Sequence, residues 1–221
     1  MWDSATIAML AKETGTTLYM TLTSTLFAYV IGLPLGILLV ITARDGLRPI
    51  PVVYKILDVV VNVTRSIPFL ILLMLLIPFT RFVVGKSYGA TATIVPLTIA
   101  AAPFIARLVE SSLLEVDRGV IEAAQSMGAG TGTIVWKVLL AEARTSLIVG
   151  ATIALGTILG YSAMAGAVGG GGLGDVAIRY GYYRYQADIM IVTVVLLIIL
   201  VQILQLIGTR LSKRLDKRIT N

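Results

Sequence analysis

This sequence has no cysteine and no histidine. Their absence excludes disulfides, thiolate nucleophiles, imidazole bases and most zinc and haem sites. Charge is scarce as well: 14% of the 221 residues are Asp, Glu, Lys or Arg, against about 25% in an ordinary soluble domain. A soluble chain of this length needs a charged surface around its core, and this one lacks the residues to make it. Hydrophobic residues make up 57% and mean hydropathy is +0.92. Lipid is the expected solvent.

Five stretches carry about 20 apolar residues each, the length that crosses the hydrocarbon core. We place spans at about 18–42, 58–83, 90–114, 146–168 and 187–211, in a single transmembrane domain covering 1–221. An amphipathic lead-in from Val52 precedes the second span. The first stretch is too long for a signal-peptide core, and no basic segment precedes it. The expected fold is all-α, with no internal repeat and no second domain.

The formal charge of +6 matters through its placement. A basic soluble protein suggests nucleic acid, but these basic residues sit at the ends of apolar runs, so no nucleic-acid partner is expected. Five spans put the termini on opposite sides. One set of loops holds Arg44, Arg48, Lys55, Arg107, Arg118, Lys137, Arg144, Arg210, Lys213, Arg214, Lys217 and Arg218; the other holds Lys12, Arg81, Lys86, Arg179 and Arg184. The basic side faces the cytoplasm, which puts the N-terminus outside and the C-terminus inside.

The connection at about 116–145 is too polar to cross a bilayer and too patterned for a random loop. Ile121, Ala124 and Met127/Gly128 recur at helical spacing. Gly128 and Gly130 end that helix, and Thr131 or Thr133 offers a cap for the next. Ile134, Val135, Val138 and Leu139 make a second apolar face. The result is a knob on the cytoplasmic face. Ala123 and Ala124 keep its surface small, and Glu122 is placed to meet a basic partner residue or its own helix N-terminus. On pattern alone, a helix–turn–helix packed on the membrane domain reads equally well.

The order Glu122-Ala123-Ala124, three residues, Gly128, nine residues, Val138-Leu139-Leu140 resembles the EAA loop of ABC-importer permeases. That pattern ends in Leu-Pro, where this chain has Leu140-Ala141. The runs Arg65-Ser66-Ile67-Pro68-Phe69, Ile77-Pro78-Phe79-Thr80-Arg81, Val95-Pro96-Leu97, Ala102-Pro103-Phe104-Ile105-Ala106-Arg107 and Gly160 to Asp175 with Tyr180-Gly181-Tyr182 extend the resemblance over nearly the whole chain, to the permease subunit of bacterial methionine importers. It implies a type I ABC-importer permease fold in a bacterial inner membrane and a homodimer lining one pathway. Two ATPase subunits, which hold ATP and magnesium, would dock on Glu122, Ala123, Ala124 and Gly128, and a substrate-binding lipoprotein would dock outside. The permease itself would carry no catalytic residue, cofactor or metal. The implied cargo is methionine, including its D-isomer and derivatives, moved by alternating access. Residue physics leaves open a permease of the same architecture for another solute, such as a betaine or phosphonate.

Gly169 to Gly174 formally match G-x-G-x-x-G, but a nucleotide fingerprint needs a preceding strand and a βαβ unit. No G-x-x-x-x-G-K-[ST] occurs. The run reads as a glycine turn. In the resembled family it precedes an outer loop near the docked binding protein, so Gly171, Gly172, Gly174, Asp175, Arg179, Tyr182 and Arg184 are candidates for that contact; the alternative is a solvated loop. Tyr161, Ser162 and Met164 interrupt the fourth span. They line a pathway or gate, or make ordinary interhelical bonds, and Met164 offers a soft contact for a thioether. Arg65 reads as snorkelling. Pro34, Pro68, Pro78, Pro96 and Pro103 lie within spans, where each frees a carbonyl and favours a kink. Asn62-Val63-Thr64 fits a glycosylation acceptor but lies at the membrane. A secondary transporter or channel needs midplane ion ligands or a filter, and Asp58 and Glu110 lie towards span ends. An intramembrane enzyme needs paired acids, a Ser–His pair or a metal cluster, none of which the sequence offers.

Overall fold

The computed structural model describes residues 3–215, and among them every regular element is helical. Helix α1 (Ser4–Thr42) runs 39 residues, about 58 Å at 1.5 Å per residue. That exceeds a hydrocarbon core of about 30 Å, so the head before the expected span is a helical extension of it. The helix is continuous through Pro34.

The stretch expected as one span at 58–83 is three helices: α2 (Pro51–Ser66), α3 (Phe69–Leu75) and α4 (Ile77–Val84). α2 and α3 are bent by 102°. Pro68 causes the break, because a proline ring pushes the residue before it out of the α region and its nitrogen cannot donate. A second break falls at Leu76, with Pro78 in the first turn of α4, and Gly85 in a left-handed conformation (φ 80°) closes that helix. α2 is two-faced. Tyr54, Leu57 and Val61 pack with Leu35, Leu39 and Ala106, while Val52, Ile56, Val59, Val60 and Val63 are exposed.

Helix α5 (Ala90–Leu114) leads into α6 (Arg118–Ser126) and then a composite segment: α7 (Thr131–Thr133), a π-helical stretch (Ile134–Leu139) and α8 (Leu140–Glu142). Then follow α9 (Arg144–Ala165), a 3-10 turn (Gly166–Val168), α10 (Gly172–Val176), a π turn (Ala177–Tyr182) and α11 (Ala187–Leu215). Among the described residues four helical stretches, α1, α5, Arg144–Val168 and α11, are long and apolar enough to cross a membrane; the bent pair of α2 and α3 would make a fifth.

The chain divides into two compact units. The first comprises Met1–Phe27, Ile67–Ala101 and Leu155–Gln205. Its core has one cluster around Leu10, Leu159, Leu173, Val176, Ile189 and Leu200 and another around Met20, Phe69, Leu73, Leu97 and Ala165. The second comprises Ala28–Ser66, Ala102–Ala154 and Leu206–Asn221. Here α1 and α5 touch backbone to backbone. A Cβ added at Gly32 would lie 2.6 Å from the Ala102 carbonyl oxygen, and one at Gly36 would lie 2.6 Å from that of Ala106. Small residues four apart allow this approach in apolar helices.

The basic residues divide the same way. The first unit holds Lys12, Arg81, Lys86, Arg179 and Arg184; the second holds Arg44, Arg48, Lys55, Arg107, Arg118, Lys137, Arg144, Arg210, Lys213 and Arg214, with Arg65, the cation inside the second stretch, beside them. Lys217 and Arg218, assigned to the same basic side, lie outside the described residues.

Candidate functional site

Three sets of residues expected to act fall each within one compact unit. The first is the knob in the second unit. Asp117 caps α6, its Oδ1 accepting from Gly119 N–H at 2.8 Å, so the carboxylate at the helix start is Asp117, and Glu122 lies exposed further along. The helix ends by turning its last amides back: Gly128 N–H donates to Gln125 O at 2.9 Å and Ala129 N–H to Ala124 O at 3.1 Å. Gly128 sits at φ 79°, a region that side chains oppose.

Three details differ from the sequence expectation. Ala124 is turned inward, 6% exposed, so of the alanine pair only Ala123 lies on the surface. Met127, grouped with Ile121 and Ala124 by helical spacing, parts from them and is 82% exposed. Neither Thr131 nor Thr133 caps the next helix: Gly130 holds that position, and Thr131 and Thr133 lie inside α7. Val120, Ala123 and Met127, at i, i+3 and i+7, form one outward row; Trp136, on the π-helical stretch, is also exposed (70%). Ile134, Val135 and Leu139 are buried beneath. A groove of about 450 Å³ beside α6 is lined by Arg44, Asp45, Tyr54, Arg118, Glu122 and Gln125, among others.

Sequence reasoning missed a charged cluster in this unit. Arg107 on α5 pairs with Glu110 at 2.6 Å and with Asp58 of α2. The Arg107–Glu110 spacing of three is a helix-face signal and could have been read. Asp58 is 49 positions away, and nothing local joins it to Arg107. Arg65, on the same helix as Asp58, has its guanidinium carbon 6.0 Å from the Phe104 ring centre.

The second set lies on α9, in the first unit. Tyr161 stacks on Phe69, ring centres 4.6 Å apart and planes at 5°. Ser162 is 1% exposed, and its hydroxyl donates to Leu159 O at 2.7 Å. Its polarity is thus satisfied within its own helix. Met164 is half exposed. The three do not share a face.

The third set is the outer turn, also in the first unit. Gly171 is partly exposed, whereas Gly172, Gly174 and Asp175 are buried. A Cβ on Gly174 would run into the Ala163 backbone and one on Gly166 into Gly174 and Asp175, which accounts for glycine at both. Asp175 faces inward and accepts from Arg179 through both oxygens, with Nε at 3.0 and 2.9 Å. That hydrogen bonding and charge hold the Arg179 guanidinium above its ordinary pKa. Of the named candidates, Arg179, Tyr182 and Arg184 reach the surface, and Arg184 lies 4.6 Å over the Tyr180 ring, a cation–π distance. Tyr182, Tyr183 and Tyr185 are exposed alongside.

Arg107 is paired by Glu110 and Asp58, and among the described residues no group of three or more His, Cys, Asp or Glu gathers as a metal site. The geometry offers surfaces and a helix bundle.

Comparison with known proteins adds to this. A family model described as binding-protein-dependent transport system inner membrane component matches residues 32–221. The chain is 52% identical over 217 residues to the probable D-methionine transport system permease protein MetI of Vibrio cholerae, covering 98% of this chain and 96% of that one. It is 50% identical over 181 residues to the methionine import system permease protein MetP of Bacillus subtilis, 82% of each. A chain from the solved inward-facing conformations of the MetNI methionine ABC transporter matches at TM-score 0.96 and 48% identity, over 98% of this chain and 100% of that one.

Proposed function

The chain belongs to the family of binding-protein-dependent transport system inner membrane components, and from that membership we propose that it is the permease subunit of an ATP-driven importer of methionine, including the D-isomer. It is a multi-pass inner-membrane protein of the type I importer permease fold and a transport subunit. One observation carries the cargo: 52% identity over 98% of the chain to the probable D-methionine transport system permease protein MetI, supported by the fit to the MetNI structure.

The permease works as a homodimer whose pathway runs between two copies. Two ATPase subunits bind below and hold the ATP and magnesium; a binding lipoprotein delivers cargo from outside. The single domain crosses five times, counting the broken α2–α3 stretch, with the N-terminus outside and the C-terminus in the cytoplasm. The charge division supports this orientation, since the side richer in Lys and Arg faces the cytoplasm.

Glu122, Ala123 and Gly128 form the surface on which the ATPase pulls, with Val120, Met127 and Trp136 as its apolar contacts. Ala124 supports them from within. The exposed apolar row supports this reading, because contiguous exposed apolar residues on a polar loop mark a protein contact. ATP-driven closure of the ATPases moves this knob and alternates the access of the pathway. Tyr161 and Met164 are the gate residues of α9, with Ser162 beside them. The outer turn from Gly171 to Arg184 receives the binding protein.

Uptake of labelled methionine into liposomes holding the full complex tests the proposal. ATP-dependent accumulation competed by D-methionine is expected. Accumulation of betaine or a phosphonate in place of methionine would overturn the cargo.

A further inference from the structure

Glu13 and Thr17 lie one turn apart on α1, ahead of the segment that the family model covers, which begins at residue 32. Both accept from the outer turn of the same compact unit. Gly172 N–H donates to Glu13 Oε2 at 2.8 Å, and Leu173 N–H donates to Thr17 Oγ1 at 2.8 Å. These amides open α10 and have no intrahelical carbonyl to meet. Thr17 gives its own proton to Glu13 O at 2.9 Å, which leaves its oxygen lone pairs for Leu173. The site is close-fitting: Thr17 is 1% exposed and Leu173 0%. A Cβ on Gly172 would lie 2.7 Å from Thr17 Oγ1 and 2.9 Å from the Met20 methyl, and its φ is +76°. Three residues further on, Asp175 is buried and grips Arg179, whose side chain is 64% exposed.

We propose that Glu13 and Thr17 are positioning residues that fix the Gly172-Leu173 turn, so that Asp175 presents Arg179 to an acidic patch on the docking binding protein. The inference rests on the importer reading above. A guanidinium held at one edge by a two-oxygen carboxylate grip has little rotamer freedom left to lose on docking, and a fixed surface cation sets register and encounter rate with an acidic partner. The α1 head thereby acts on a contact it does not itself make.

The test uses the complete complex in liposomes. ATP hydrolysis is titrated with the methionine-loaded binding protein of the same organism, and hydrolysis without binding protein serves as reference. Thr17→Val and Glu13→Ala each remove an acceptor. They are expected to raise the half-saturating concentration of binding protein about three- to ten-fold, the size of one lost hydrogen bond, with reference hydrolysis unchanged. Thr17→Ser and Glu13→Gln keep an acceptor oxygen and are expected to titrate as the native complex does. Arg179→Ala is expected to shift the titration equally, and adding Thr17→Val to it to shift it no further. Native titration by Thr17→Val and Glu13→Ala, additive shifts in the double variant, or parallel loss of reference hydrolysis would overturn the inference. Salt supplies a second measurement that needs no acceptor variant: half-saturation is expected to rise with ionic strength and Arg179→Ala to flatten that rise, and a flat native profile overturns the acidic patch. A native complex that takes up no methionine overturns the importer reading; one that transports normally while every variant titrates like it overturns this inference alone.

Discussion

Asp58 and Arg107, 49 positions apart, meet as an ion pair, and Glu110 shares the same guanidinium. The group is partly buried: the side chains of Arg107 and Glu110 are 19% and 11% exposed, that of Asp58 32%. One cation therefore holds α2 against α5 within the second unit. Arg107→Ala leaves two carboxylates facing each other and is expected to cost about 2–4 kcal/mol, within the range for breaking a buried pair and discounted for the exposure. Asp58→Asn removes one charge, keeps an acceptor, and is expected to cost about 1 kcal/mol. Thermal unfolding midpoints in nanodiscs check both. Equal midpoints for native protein and Arg107→Ala would mean that the cluster does not brace the fold.

Gly36 and Gly15 are both helical glycines of α1, yet opposite outcomes are expected. A Cβ at Gly36 would meet the Ala106 carbonyl oxygen at 2.6 Å and Val109 at 2.7 Å, whereas nothing lies within 4 Å at Gly15. Gly36→Ala must push α1 from α5 and is expected to destabilise by about 1–3 kcal/mol. Gly15→Ala only removes backbone freedom and is expected to stabilise by up to about 1 kcal/mol. Paired unfolding curves decide between them; a stabilising Gly36→Ala contradicts the close approach.

Gly128 terminates α6 at φ 79°, and Glu122 is exposed on that helix. Gly128→Trp puts a bulky side chain on the surface assigned to the ATPase, in a conformation costing about 1–2 kcal/mol for an L-residue. Glu122→Arg reverses the charge there. Both variants are expected to insert normally and to lose transport-coupled ATP hydrolysis. Membrane fractionation with uptake measures the two separately; unchanged uptake would remove the coupling role.

Ser162 and Met164 separate a satisfied side chain from an available one. The Ser162 hydroxyl is bonded to Leu159 O at 2.7 Å and lies buried, whereas Met164 is 49% exposed. Ser162→Ala is expected to keep uptake within about two-fold of native, the loss of a bond the helix carbonyl does not require. Met164→Trp is expected to cut uptake at least ten-fold, since the added bulk at an exposed position narrows the pathway that the two copies line. Initial uptake rates at saturating binding protein give the comparison. Equal rates for native protein and Met164→Trp would place the pathway elsewhere.

Gly174 shows how tightly the outer turn is threaded. A Cβ there runs into the Ala163 backbone, and two residues from it lies Val176, in the core with Leu10 and Leu173. Gly174→Ala is therefore expected to cost about 2 kcal/mol or more by overpacking and to lower the yield of assembled complex. Size-exclusion profiles after detergent extraction check it; a native profile would show that the turn relaxes freely.

The sequence by itself determined the solvent, the helical class and the likeness to importer permeases. These follow from counts and short-range spacing: too little charge to cover a soluble core, apolar runs of bilayer length, basic residues gathered at one set of span ends, and Glu122-Ala123-Ala124 before Gly128. It also located the Pro68 break's cause, a proline inside an apolar run, without its 102° consequence. Only the tertiary structure decided which side chains meet. The Asp58–Arg107 pair, the Gly32 and Gly36 approach to α5, and the hold of Glu13 and Thr17 on Gly172 and Leu173 each join segments tens of residues apart or more. It likewise turned Ala124 inward, away from the surface on which the sequence placed it beside Ala123. The physical reason is common to all of these. Periodicity and propensity act within a few turns of chain, whereas burial and partnership depend on which helix packs on which face, and that is fixed by contacts distant in sequence.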